Sequence, residues 1–255
     1  MAKIYWILTD LDGVFLGRAR ERNGNGRDSH IDYANLLNFL GRKNYEMVFL
    51  TDRGVEQLAV LAYMLHASRF HAGESGAAAY CAYPHTTIIN PAYKKIVKKV
   101  VVARKLFRKK FGDQFPIEPG VVSSLRVERV DGENLEDPLE FLTLYAQKNP
   151  GFISADNGDC IILKPDGINK KIGLNWLAQL YAGQGKPINF PDSLWIGDGM
   201  SDIPAGEVVL ENGGQIAAVG NAHPEYEKFV RKNGGYLAEK KYTEGFVEIL
   251  QHFLG

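Results

Sequence analysis

The stretch KIYWILTDLDGVF (residues 3–15) decides how this chain is read. Ile4 to Thr9 is a continuous apolar run without polar alternation. Such a run fits a strand buried on both faces, as in a parallel sheet with helices above and below. The run stops abruptly at Asp10, Leu11, Asp12, Gly13. A strand-end acid by itself often caps the next helix or faces solvent. The meaning of this pair therefore depends on what the rest of the chain brings beside it.

Working outward, GRARERNGNGRDSH reads as a long exposed loop, and residues 31–42 carry helical periodicity. EMVFLT is a second buried strand ending in Thr51, and residues 55–65 form a second helix. SRFHAGESG reads as a short strand and turn, and AAAYCAYPHTTIIN as a hairpin. The middle differs. Residues 91–110 make a strongly basic amphipathic helix. GVVSSLRVERV alternates like a half-exposed antiparallel strand, residues 135–147 are helical, and GFISADNGDCIILKP is a hairpin turning near Asn157-Gly158. The first pattern then returns with a helix over 169–181, the buried strand SLWIGDG, the strand GQIAAVGNA, a helix over 223–232, the strand GYLAE and the helix EGFVEILQHFL. The expected fold is α/β: a doubly wound, mostly parallel Rossmann-like core over 1–90 and 166–255, with a small α+β cap inserted over 91–165.

Composition narrows the function classes. Of 255 residues, 45% are apolar, and Lys plus Arg balance Asp plus Glu at 30 each. No net field draws the chain to nucleic acid or an anionic membrane, so function must lie in a local site. Cys81 and Cys160 fit neither a disulfide framework nor a zinc motif and read as reduced, buried thiols. The apolar start is too short for a signal peptide, and no segment approaches the about 20 apolar residues of a membrane helix. A soluble, cytoplasmic protein is expected.

In open α/β sheets the ligand crevice lies at the carboxyl ends of the strands. Three strands here end in reactive side chains, Asp10 with Asp12, Thr51, and Asp198, and a helix start adds Lys170. Clustered carboxylates need a cation, and Asp oxygens without His or Cys suit a hard ion such as Mg²⁺. A lysine and a hydroxyl suit a dianion such as phosphate. Gly13 allows close approach of backbone to a ligand. One acid can attack phosphorus while a second, two residues on, protonates the leaving oxygen and later deprotonates water.

These segments resemble the signatures of haloacid dehalogenase superfamily phosphohydrolases. LTDLDGV is similar to their DxDG motif, FLTDRG to the second motif, PDGINKKIGLNWL to the lysine-bearing third, and WIGDGMSDIPA, followed by AVGNAHPE, to the fourth. GESGAAAY resembles the turn that precedes the cap in the Cof-type, sucrose-phosphatase-like branch, which carries its α/β cap between motifs two and three. The resemblance implies a Mg²⁺-dependent phosphatase acting on a small phosphorylated metabolite, a sugar phosphate or phosphoglycolate-like acid. It implies Asp10 as nucleophile and metal ligand, and Asp12 as acid/base with its backbone carbonyl on the metal. Thr51 would bind phosphoryl oxygens, with Gly13, Asp52 and Arg53 beside them, and Lys170 would offset charge. Asp198 and Asp202 would serve the metal, with Ser201, which stands where Asn is usual, reaching it through water. Asp52 departs from the usual Gly and either tunes substrate preference or faces solvent. Val14 replaces the common Thr.

Other readings are weaker. DLDG opens no EF-hand, because Val14 and Phe15 occupy positions that need a ligand and Gly. Gly24 to Gly26 follows no strand, so a dinucleotide fingerprint is not indicated. The basic helix is either an anion patch over the site or a solvated face, an ambiguity shared by Arg126 and Arg129. His71, His85 and His223 read as structural or surface residues, and Trp6, Trp176 and Trp195 as core. The rival functions are a phosphohexomutase and a phospho-accepting signalling or non-catalytic binding protein. The mutase would return the phosphoryl group to sugar; the signalling reading sits poorly with an inserted cap.

Overall fold

The computed structural model describes residues 4–16, 45–65, 67–129, 134–156 and 160–254. The expected loop and helix over 17–42 and the turn at Asn157-Gly158 lie outside the described residues. The first part of the chain supplies β1 (Trp6–Thr9), β2 (Glu46–Phe49), α1 (Val55–Met64), β3 (Phe70–Gly73), β4 (Ala78–Cys81) and β5 (Thr86–Ile89). The middle supplies α2 (Lys94–Phe111), β6 (Leu125–Glu128), α3 (Glu136–Lys148), β7 (Phe152–Asp156) and β8 (Cys160–Pro165). The last part supplies α4 (Lys170–Ala182), β9 (Ser193–Gly197), α5 (Ile203–Glu211), β10 (Gln215–Ala218), α6 (Pro224–Lys232), β11 (Tyr236–Leu237) and α7 (Tyr242–Leu254).

Five strands form a parallel sheet in the order β11-β10-β9-β1-β2. Alternate residues of β1 serve opposite faces, as the pleat requires. Ile7 packs with α1 and α7 through Leu58, Phe246 and Ile249. Trp6 and Leu8 pack with α4, α5 and α6 through Leu177, Val208 and Tyr226. Both faces are therefore covered, which explains the unbroken apolar run, and the fold is the doubly wound α/β core with a cap-like insertion. Trp6, Trp176 and Trp195 are all buried. Chain order reverses between β9 and β1, which places the crevice at their carboxyl ends. The register aligns those ends: Thr9 pairs with Phe49 on one side and Ile196 on the other.

Beyond β2, a parallel bridge from Leu50 to Ala72 attaches the antiparallel sheet β3-β4-β5. The inserted elements make a separate antiparallel sheet, β6-β8-β7. One face of that sheet, with Leu125, Val127, Ile161 and Leu163, packs on Val100, Ala103, Phe107 and Leu142 of α2 and α3. The basic helix thus backs the cap sheet on the side away from the Arg126 face, and its lysines 94, 98, 105 and 109 are exposed. That arrangement favours a solvated face over an anion patch above the site.

Two expectations are corrected. The alternating segment from Gly120 becomes strand only at Leu125, because the buried Glu74 carboxylate takes the backbone N–H groups of Val122 (2.8 Å) and Ser123 (2.7 Å). Cys81 is buried, but Cys160 is only half-buried, at the edge of β8. Among the described residues, no helix is long and apolar enough to cross a membrane.

Candidate active site

Four backbone segments converge at the carboxyl edge of the core sheet. Asp10 follows β1 directly, and its N–H donates to Ile196 O on β9 at 3.1 Å. Thr51 follows β2 by two residues, fixed by Leu50 N to Thr9 O at 2.9 Å and by its own N–H to Ala72 O at 3.0 Å. Asp198 follows β9, and Asp202 lies in the turn that opens α5. Lys170 is the first residue of α4, whose N-terminus is capped by the Asn169 side chain accepting from Ile172 N at 3.1 Å. Gly173 lets this helix come close: a Cβ there would lie 2.7 Å from Leu50 Cδ1 and 2.8 Å from Ser75 O.

Lys170 joins the acids. Its Nζ donates to Asp10 Oδ2 at 2.5 Å and to Asp202 Oδ1 at 2.6 Å, with only 1% of its side chain exposed. The remaining oxygens are engaged too. Asp10 Oδ1 accepts from Leu11 N at 2.6 Å, and Asp202 Oδ2 accepts from the N–H groups of Asp198 (2.8 Å) and Gly199 (2.9 Å). Asp10, Asp198 and Asp202 each present an oxygen within 4.8 Å of the others. Gly13 makes room for this cluster. Its φ is +79°, and a Cβ would fall 2.0 Å from Asp198 Oδ2. The Gly13 carbonyl is held by Asn221 Nδ2 at 2.7 Å.

The electrostatics are unbalanced. Three buried carboxylates face one ammonium. Burial pushes Asp10 well above the usual carboxylate range; Lys170 pulls it back, while Asp202 and Asp12 add to the rise. Burial acts to lower Lys170, but Asp10, Asp202 and Asp52 outweigh it and hold the ammonium above its ordinary value. Surplus negative charge in an all-oxygen, buried cluster fits a hard divalent cation, and the donor set matches Mg²⁺ in kind.

The other expected residues are placed as follows. Asp12 is half-buried, and both its oxygens are taken by Arg53, from Nε at 2.8 Å and Nη2 at 2.6 Å. Asp52 faces the junction with the cap, bonded by Ser75 Oγ, so the solvent-facing alternative is set aside. Lys170, Ser75, Arg126 and Lys164 together outweigh burial and lower its pKa. Ser201 is exposed, one position before the buried Asp202 in the turn that opens α5. Several residues were not foreseen. Glu74 clamps the cap entry, Gln57 and Glu118 bridge core to cap at 3.2 Å, and Asn221 holds the Gly13 carbonyl. Only Glu74 and Asn221 had a signal, since both sit in quoted motif segments, GESGAAAY and AVGNAHPE.

The strand order and the inserted sheet give a fold shared with haloacid dehalogenase-like hydrolases of known structure. A haloacid dehalogenase-like hydrolase from Bacteroides thetaiotaomicron superposes with a TM-score of 0.68 at 16% identity, over 99% of this chain and 100% of that one. A Thermoplasma acidophilum protein gives 0.63 at 16% identity over 98% of each chain. The sucrose-phosphatase of Synechocystis sp. PCC6803, solved with sucrose and phosphate, gives 0.56 at 15% over 98% of each. By sequence, the phosphoglycolate phosphatase of Methanothrix thermoacetophila is 38% identical over 97 residues, a match that spans 38% of this chain and 38% of that protein. No family model matches the chain.

Proposed function

We propose that this protein is a Mg²⁺-dependent phosphatase of small phosphorylated metabolites, working through an aspartyl-phosphate on Asp10, within the Cof-type, sucrose-phosphatase-like branch. The observation that carries the reading is the meeting of Lys170 with Asp10 and Asp202, from positions 160 and 32 residues away, beside Asp198. A structural ion pair would need one carboxylate; this cluster has three.

In the proposed chemistry an Asp10 oxygen attacks phosphorus in line as the P–O bond to the leaving group breaks. Asp12 gives its proton to the departing oxygen. Asp12 then takes a proton from water as that water attacks phosphorus, and the Asp10–phosphorus bond breaks to release phosphate. Arg53 occupies both Asp12 oxygens, so it must release one for each transfer. Lys170 and the Thr51 hydroxyl stabilise charge on the phosphoryl group. Asp10, Asp198 and Asp202, with the Asp12 carbonyl, would hold Mg²⁺, which when bound screens the charge of nucleophile and phosphate. Residues 91–165 act as the cap that excludes water and reads the leaving group. The partial match to a phosphoglycolate phosphatase supports a short phosphorylated acid among the substrates.

The test is a screen of phosphorylated metabolites with Mg²⁺, with Asp10→Asn run beside the wild type. The variant is expected to keep its circular dichroism and melting transition and to lose phosphate release by about 10⁴-fold or more. Undiminished release from it would overturn the mechanism.

A further inference from the structure

The cap sheet has a second face. Leu125, Val127, Ile161 and Leu163 point to the cap helices, so the alternate residues Arg126, Ile162 and Lys164 point the other way. These three line a cavity of about 30 Å³ closed on the core side by Asp52 and Ser75. Asp52 follows Thr51 in the chain, and Ile168, two residues before Lys170, also lines the cavity. The space therefore adjoins the phosphoryl site.

The cations in it attract Asp52 across the cavity but keep hydrogen-bond donors unused. Arg126 donates from Nη1 to Glu118 Oε2 at 3.3 Å, but its buried Nε has no hydrogen-bond partner, nor has Nη2 among the described residues. The Lys164 ammonium has no ion-pair partner among the described residues either. The Nε–Nη2 edge of a guanidinium presents two parallel N–H groups, which match the two oxygens of a planar carboxylate. Glu118 holds the opposite side of the group and so fixes the direction of that edge.

We infer that Arg126, supported by Lys164, receives a carboxylate carried by the leaving group, and that these two residues select short phosphorylated carboxylic acids. The inference rests on the phosphatase reading and names its substrate class. Size and charge both narrow the choice. A cavity this small holds about one or two water-sized groups, enough for a carboxylate but not for a sugar ring. Asp52 on the facing wall repels any anion, a singly charged carboxylate less than a bulkier phosphate dianion, so Arg126 and Lys164 offset it for the carboxylate and a bisphosphate is disfavoured. The acid then spans from the catalytic edge to the cap, with its phosphate toward Lys170 and its carboxylate toward Arg126.

The test compares initial rates, with Mg²⁺ and the full chain, on 2-phosphoglycolate, on 2-hydroxyethyl phosphate as the neutral analogue of equal length, and on a short bisphosphate. Wild type is expected to favour the acid over both. Arg126→Gln should lower the acid-to-neutral ratio of kcat/KM by about 10- to 100-fold, and Lys164→Met by roughly 3-fold. Arg126→Lys should also lower it, since charge without the fork loses the paired bonds. An acid-to-neutral ratio unchanged in both Arg126 variants, or a wild-type preference for the bisphosphate, overturns the assignment. Calorimetric binding of the same compounds to Asp10→Asn separates the two readings. Arg126-dependent binding of the acid without turnover by wild type sinks the phosphatase and keeps the carboxylate site; turnover with no Arg126-dependent preference does the reverse.

Discussion

The two sheets of this protein treat polar groups in opposite ways. The core sheet is covered on both faces, and its polar residues gather at one edge, where they bind each other. Lys170 lies 2.5 Å from Asp10 and 2.6 Å from Asp202, and the free oxygens of those acids take backbone N–H groups. The cap sheet packs its helices on one face only; the other turns toward the core and carries cations with donors to spare, such as the buried Arg126 Nε. A site that performs one chemistry gains from being assembled before substrate arrives. A surface that recognises a leaving group must leave donors open for it. Under the proposed function, the contrast would put the reaction in the core and selection in the cap, and it can be broken by measurement.

The largest expected effect is on stability at the core edge. Lys170→Met removes the ammonium and leaves buried carboxylates unpaired, which costs about 3–5 kcal/mol. Urea unfolding should show this loss in metal-free buffer. Saturating Mg²⁺ should recover part of it, because an ion that binds only the folded state at a hundredfold its Kd adds about 2.7 kcal/mol. Lys164→Met, a half-buried and unpaired lysine on the cap, should change stability by no more than about 0.5 kcal/mol. Equal losses from the two substitutions would erase the distinction between the sheets.

The same contrast governs what could be read from the residues alone. The strand containing Ile7 and Leu8 was legible because burial on both faces leaves an unbroken apolar run. Asp10, Thr51 and Asp198 were legible as strand ends, and Lys170 as the start of a helix. Arg126 was legible only as one side of an alternating strand; which side meets the core depends on how the cap docks. Gln57 and Glu118 lie 61 residues apart with no local pattern to pair them. The turn of residues 122–124 away from strand geometry follows from the buried Glu74, a long-range competitor for backbone donors that local alternation does not reveal.

A smaller effect comes from the flank of the core. His71 on β3 is buried; its Nδ1 accepts from Phe49 N at 3.1 Å, and its Nε2 lies 2.7 Å from Ser68 O, a pairing that needs the neutral ring. Burial lowers its pKa from 6.5 to about 4, with Ser68 and Glu46 acting the other way. Between those values the unfolded chain binds more protons than the folded one, so stability falls as pH drops through that window. The share owed to His71 is about 3 kcal/mol at most. Chemical denaturation at pH 7 and pH 4.5 should show the gap between wild type and His71→Gln narrowing with acid. A gap independent of pH would mean that the ring is not held neutral.

The smallest effect lies on the boundary itself. Gln57 accepts from Arg53 Nη1 at 2.9 Å and donates to Glu118 Oε1 at 3.2 Å. Arg53 grips Asp12, and Glu118 pairs with Arg126, so a continuous chain of hydrogen bonds joins Asp12 to the cap cation. Gln57→Leu is expected to cost less than about 1 kcal/mol in stability, since the side chain is partly exposed. It should lower kcat/KM by roughly 3- to 5-fold, through a less fixed Arg53 on one side and a less fixed Arg126 on the other. A double-mutant cycle with Arg126→Gln distinguishes coupling from coincidence. If the chain transmits position, removing Arg126 first should shrink the effect of removing Gln57, leaving a coupling of about 0.5–1 kcal/mol on phosphorylated acids. On a neutral ester, which makes no demand on Arg126, the coupling should fall toward zero. Strictly additive losses on both substrates would show that core and cap act on the ester independently, each through its own residues.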